Sequence, residues 1–108
     1  MTHVAVTRRN NRIVSVECTG HTGYGEQGED IVCAALSSIV QTAALGLLQV
    51  VGVKLDYRTD ERGYLKMALP DDLDEKVRHD CDIVLETMLL GVADLNQGYS
   101  DFIELEVK

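Results

Sequence analysis

Thr19-Gly20-His21-Thr22-Gly23-Tyr24-Gly25-Glu26-Gln27-Gly28-Glu29-Asp30-Ile31-Val32-Cys33-Ala34-Ala35-Leu36-Ser37 is the stretch at which the chain changes period. Before it, apolar residues recur at every second position. After it, the chain is apolar over most of a helical circumference. Between the two regimes lie four glycines in nine residues, Gly20 to Gly28. Glycine opens unusual φ/ψ and lowers stiffness, so this density predicts a flexible loop built on Gly20, Gly23, Tyr24, Gly25 and Gly28, with no regular element. Asp30 stands where an N-cap belongs. Its carboxylate can accept a bond from a backbone N–H two or three residues on, and its charge suits the positive end of the helix dipole. A helix from Ile31 to about Val50 is then expected, with Cys33 in its first turn.

Upstream of this stretch, Val4 and Val6 alternate with Ala5 and Thr7, and Val14, Val16 and Cys18 alternate with Ile13, Ser15 and Glu17. Period two means strands. Between them Arg9-Asn10-Asn11-Arg12 predicts a tight hairpin, because asparagine tolerates the positive φ that such turns require. Downstream, Gly52 ends the helix. Val53, Leu55 and Tyr57, then Leu65, Met67 and Leu69, alternate with polar or small neighbours on either side of Thr59-Asp60-Glu61-Arg62-Gly63, which reads as a second hairpin. Pro70 and the acids Asp71, Asp72, Asp74 and Glu75 announce another helix. Leu73, Val77, Cys81, Val84, Leu85, Met88, Val92 and Leu95 form its buried face, with Lys76, Arg78, Asp80 and Glu86 toward water. Gly98 is expected to close this helix in the left-handed conformation. Ile103, Leu105 and Val107 make a last strand. The order ββαββαβ predicts one α+β domain over residues 1–108, a sandwich of two helices packed on a mostly antiparallel five-stranded sheet.

The first helix is apolar on more sides than one sheet can cover, so a second partner is expected, either the other helix or a second subunit. Gly46 within it is explained equally by close helix contact and by mere tolerance. The run Ile31 to Val51 reaches the roughly 20 residues a membrane span needs. Ser37, Ser38, Gln41, Thr42 and Gln49 interrupt it and no Lys or Arg cluster flanks it, which favours a buried helix and no membrane.

The 108 residues carry ten Lys and Arg against eighteen Asp and Glu, a net charge of -8. Such a field repels phosphate backbones, which argues against direct nucleic-acid binding and favours a basic partner. Met1-Thr2-His3-Val4 passes straight into a strand pattern without a signal-peptide core, so a cytoplasmic location is expected. Three cysteines, Cys18, Cys33 and Cys81, are an odd number without paired ligand spacing. Neither a disulfide framework nor a metal site is indicated, and no cofactor is expected.

A thiolate at a helix N-terminus is stabilised, and a nearby imidazolium adds to the effect. Cys33 meets the first condition if Asp30 caps the helix, and His21, twelve residues earlier, can meet the second. The glycine loop would supply backbone N–H groups for an oxyanion. The alternative is a small core cysteine and a solvated histidine. Gly23-Tyr24-Gly25-Glu26-Gln27-Gly28 also fits G-x-G-x-x-G. The preceding strand belongs to a hairpin, Leu47, Leu48 and Gln49 stand where the ribose acid is due, and Glu29 and Asp30 would repel a pyrophosphate, so dinucleotide binding is rejected. His3 and His79 read as surface histidines. Tyr24, Tyr57, Tyr64 and Tyr99 are either groove residues or ordinary packing.

The segments Gly20-His21-Thr22-Gly23-Tyr24-Gly25 and Gly28-Glu29-Asp30-Ile31-Val32-Cys33-Ala34-Ala35-Leu36-Ser37 strongly resemble the ribosomal-processing cysteine protease family, Prp. The pattern is G-H-x-G-Y, then D-I-V-C-A, then a serine four after the cysteine, and the resemblance covers essentially the whole chain. It implies a homodimeric cysteine endopeptidase that removes an N-terminal extension from bacterial large-subunit ribosomal protein twenty-seven. By position it implies Cys33 as nucleophile and His21 as general base, with Asp30 and Ser37 in support. Ser37 is one helical turn beyond Cys33 and can orient thiol or substrate. A second reading is a non-enzymatic ribosome-assembly module that uses Cys33 only for packing. Selective alkylation of Cys33 near neutral pH separates the two.

Overall fold

In the first hairpin, β1 (Thr2–Arg9) and β2 (Arg12–Thr19) pair antiparallel with Arg9 opposite Arg12. Asn10 and Asn11 both take positive φ, 53° and 67°. These are the dihedrals of a two-residue turn whose twist matches that of its strands. The register slips between Thr7 and Arg8, where Thr7 faces Ser15 and Arg8 faces Ile13, leaving Val14 as an extra residue. This bulge corrects the simple alternation. An extra residue moves everything beyond it to the opposite face, so Ile13, Val16 and Cys18 are the buried set and Val14 is only half-buried.

The computed structural model of the chain describes residues 1–20 and 27–108, with side chains for 1–20 and 31–108. α1 (Gln27–Leu45) continues into one π-helical turn, Gly46–Val51. It stops at Gly52, whose φ of 85° is the left-handed value a Cβ would disfavour, and whose N–H donates to the Leu47 carbonyl at 3.0 Å. The start departs from expectation. The helix begins at Gln27, so Asp30 lies inside it and is not its cap, Gly28 is helical, and Cys33 sits in the second turn. Glu29 and Asp30 are compatible with this longer helix, since acids are favoured in a first turn whether or not they cap it.

β3 (Asp56–Thr59) and β4 (Leu65–Ala68) form the second hairpin, and β5 (Ile103–Val107) returns parallel to β1. The five strands lie in the order β3-β4-β2-β1-β5, a mixed and mostly antiparallel sheet. α2 (Glu75–Gly98) is capped by Asp74, which accepts the Val77 N–H at 2.9 Å. It runs through Gly98, which is therefore not a left-handed cap. The Tyr99 N–H closes the helix on the carbonyls of Leu95 and Asn96.

Val32, Leu36, Val40, Ala44 and Leu47 of the first helix meet Cys81, Leu85, Met88 and Val92 of the second over Val4, Val6, Ile13, Val16, Leu65, Met67 and Ile103 of the sheet. By length and composition Ile31–Val51 is apolar enough to cross a membrane, yet its buried stripe is this shared core. Gly91 packs tightly on the first helix, where a Cβ would fall 3.3 Å from Ile39 Cγ2. At Gly46 it would meet Val84 Cγ1 at an ordinary 3.7 Å, which favours tolerance there. Arg78 and Glu86 do not simply face water. Arg78 donates to the Ile13 carbonyl at 2.7 Å and pairs with Asp82, and Glu86 holds Arg8 through two bonds of 2.6 and 2.9 Å.

Candidate active site

Strand alternation puts Thr2 on the same face as Val4 and Val6, against α1. There its Oγ1 lies 3.0 Å from Cys33 Sγ. Thr2 is 3% exposed and Cys33 4%, and among the described residues Thr2 is the one buried polar side chain. Both line a cavity of about 70 Å³ whose other walls include Cys18, Ser37, Gln41, Thr59 at the end of β3 and the β3–β4 turn residues Asp60, Gly63 and Tyr64.

The turn is held in place by its own side chains. Asp60 Oδ1 accepts the backbone N–H groups of Arg62 and Tyr64 at 2.8 and 3.0 Å, and the Tyr64 hydroxyl donates to Glu17 Oε2 on β2 at 2.9 Å. That bond raises the Tyr64 phenol above its ordinary pKa. Burial, aided by the Glu17 charge, pushes the Cys18 thiol up to about 12, which keeps it neutral beside Cys33. Burial also raises Cys81, which sits in the core as its helical spacing predicts. All three thiols are free.

Of the residues singled out from sequence, the fold places Cys33 and Ser37 on one cavity wall and Tyr64 across from them. His21, Gly23, Tyr24 and Gly25 lie outside the described residues, as does the Asp30 side chain. Gly20 can be described. Its φ is 95°, and an added Cβ would fall 2.5 Å from the Met1 carbonyl oxygen, so the chain reaches His21 from a point packed against the strand that carries Thr2. The helix-dipole argument for Cys33 weakens, because that field falls off within the first turn and Cys33 is in the second. Thr2, Thr59 and Asp60 were not legible as site residues. Only Thr2 left a trace, a hydroxyl in a row of buried valines.

A family model described as Cysteine protease Prp matches residues 1–104. The ribosomal processing cysteine protease Prp of Bacillus subtilis is 29% identical over 104 residues, covering 94% of this chain and 92% of its own. A solved protein from Streptococcus mutans is 33% identical with a TM-score of 0.79, covering 99% of this chain and 93% of its own. The essential ribosomal processing protease Prp of Staphylococcus aureus, solved with a substrate peptide, shares the fold at a TM-score of 0.88 and 24% identity, with both chains fully covered.

Proposed function

Because this chain belongs to the Prp family of cysteine proteases, we propose that it is a cytoplasmic endopeptidase that removes the N-terminal extension of large-subunit ribosomal protein twenty-seven. Cys33 is the nucleophile. His21 takes the thiol proton as Sγ attacks the scissile carbonyl, then gives it to the departing amine, and water hydrolyses the thioester. Asp30 and Ser37 support this pair, Ser37 from the next turn of the same helix. No cofactor takes part.

The observation that carries this reading is the Cys33 thiol in the wall of a cavity that it shares with a turn pinned to the sheet. The net charge of -8 suits a basic ribosomal protein over a nucleic acid. A homodimer fits the outer helical face, where Ile83 and Leu90 are 55% and 73% exposed beside an apolar groove of about 530 Å³ between the helices.

The test is cleavage of the extended ribosomal protein, followed by mass spectrometry. Cys33→Ala is expected to abolish cleavage with an unchanged circular-dichroism spectrum. Retained cleavage would remove Cys33 from the mechanism.

A further inference from the structure

We propose that Thr2 is a positioning residue whose hydroxyl holds the Cys33 sulfur in its reactive place. The proposal rests on the reading of Cys33 as nucleophile and adds a partner from the opposite layer of the fold. Position 2 belongs to the row Thr2, Val4, Val6 that faces the helices, where an aliphatic side chain would complete the pattern. A buried hydroxyl there needs a partner, and Cys33 Sγ stands 3.0 Å from it.

Its own position is set by the sheet. The Thr2 N–H donates to the Phe102 carbonyl at 2.9 Å, and its Cα pairs with Ile103 on β5. Sγ is thus located relative to the central strands and does not depend on the rotamer of Cys33 alone. Among the described residues, the other ionisable groups lining the cavity are Cys18, Asp60 and Tyr64. Burial holds Cys18 neutral, the Asp60 Oδ1 accepts two backbone amides, and the Tyr64 hydroxyl is given to Glu17. Among the described residues, Thr2 is the hydrogen-bonding group placed against the sulfur. A hydroxyl serves both protonation states. It accepts from the thiol, and it donates to the thiolate once His21 has removed the proton.

The experiment uses the full chain and measures the iodoacetamide alkylation rate of Cys33 against pH, read by mass spectrometry on the Cys33 peptide. Thr2→Val keeps the shape and removes the hydroxyl, and Thr2→Ser keeps the hydroxyl. Thr2→Val is expected to raise the alkylation midpoint by about one pH unit, roughly a tenfold loss of reactive thiolate below it. It should lower kcat about tenfold on the same grounds with little change in KM, while Thr2→Ser stays near the parent in both. An unchanged midpoint in Thr2→Val overturns the proposal, and so does an equal shift in both variants, which would assign the effect to altered packing at position 2 and not to the hydroxyl. Should Thr2→Val fail to fold, Thr2→Ala is read in the same way. Alkylation needs no substrate, so a parent protein that does not cleave would defeat the protease reading while leaving the role of Thr2 decided separately.

Discussion

The two ends of the sheet are built from different chemistry. At the end formed by the Asn10–Asn11 turn, arginines of the first hairpin reach across to α2: Arg8 to Glu86, Arg12 to Glu75 and Asp82. Arg78 reaches back to the Ile13 carbonyl. These pairs hold the carboxyl groups of Glu75 and Glu86 below their ordinary range and raise Arg8 and Arg12. At the other end Thr2, Cys18, Cys33 and Tyr64 surround a cavity, and burial or a carboxylate neighbour holds Cys18 and Tyr64 in their protonated forms. One end is clamped by charge at the surface, the other keeps the Cys18 thiol and the Tyr64 phenol neutral around a space. The difference teaches why a reactive group can sit at the second end without the fold depending on it.

Leu36→Ala sharpens that contrast most. Leu36 is 2% exposed and walls the cavity, so its truncation should cost about 3 kcal/mol and also change the Cys33 alkylation rate, as urea unfolding and labelling together would show. Arg78→Ala at the clamped end should cost about 2 kcal/mol by leaving the Ile13 carbonyl without its donor and Asp82 with Arg12 alone, and leave the alkylation rate unchanged. A changed alkylation rate would break the division between the ends.

The pH dependences should oppose each other. The folded state raises the Cys18 pKa from 9.0 to about 12, so its contribution is complete below pH 9 and lost as the pH rises toward 12. Cys18→Ala should therefore flatten the alkaline fall in melting temperature. Glu86 is depressed by Arg8 below its ordinary 4.5, so its contribution is present above that pH and lost as the pH falls further. The effect is the smallest expected, under about 1 kcal/mol because the pair is partly exposed. Arg8→Ala should flatten the acid fall and leave the alkaline one alone.

Where a feature depended on neighbours in the chain, sequence reading reached it. The Asn10–Asn11 turn, the Gly52 stop, the helix start at the acidic cluster after Pro70 and the buried stripe of Cys81, Leu85, Met88 and Val92 are all local. The errors arose where packing or pairing intervened. The bulge at Val14 exchanged Ile13 into the core because a partner strand imposed the register, and α1 extended back to Gln27 through residues that read as loop. Arg78 and Glu86, polar in an amphipathic pattern, were recruited by a hairpin more than sixty residues away in sequence.

By itself the sequence determined the element order, the two hairpins, the helix faces and Cys33 as the residue to examine, since these follow from period, turn chemistry and the spacing of a motif. Only the tertiary structure brought Thr2 to Cys33 across 31 residues and set the β3–β4 turn over both. Period two shows which face Thr2 occupies. What lies against that face is decided by the return of the helix onto the sheet, which no local rule contains.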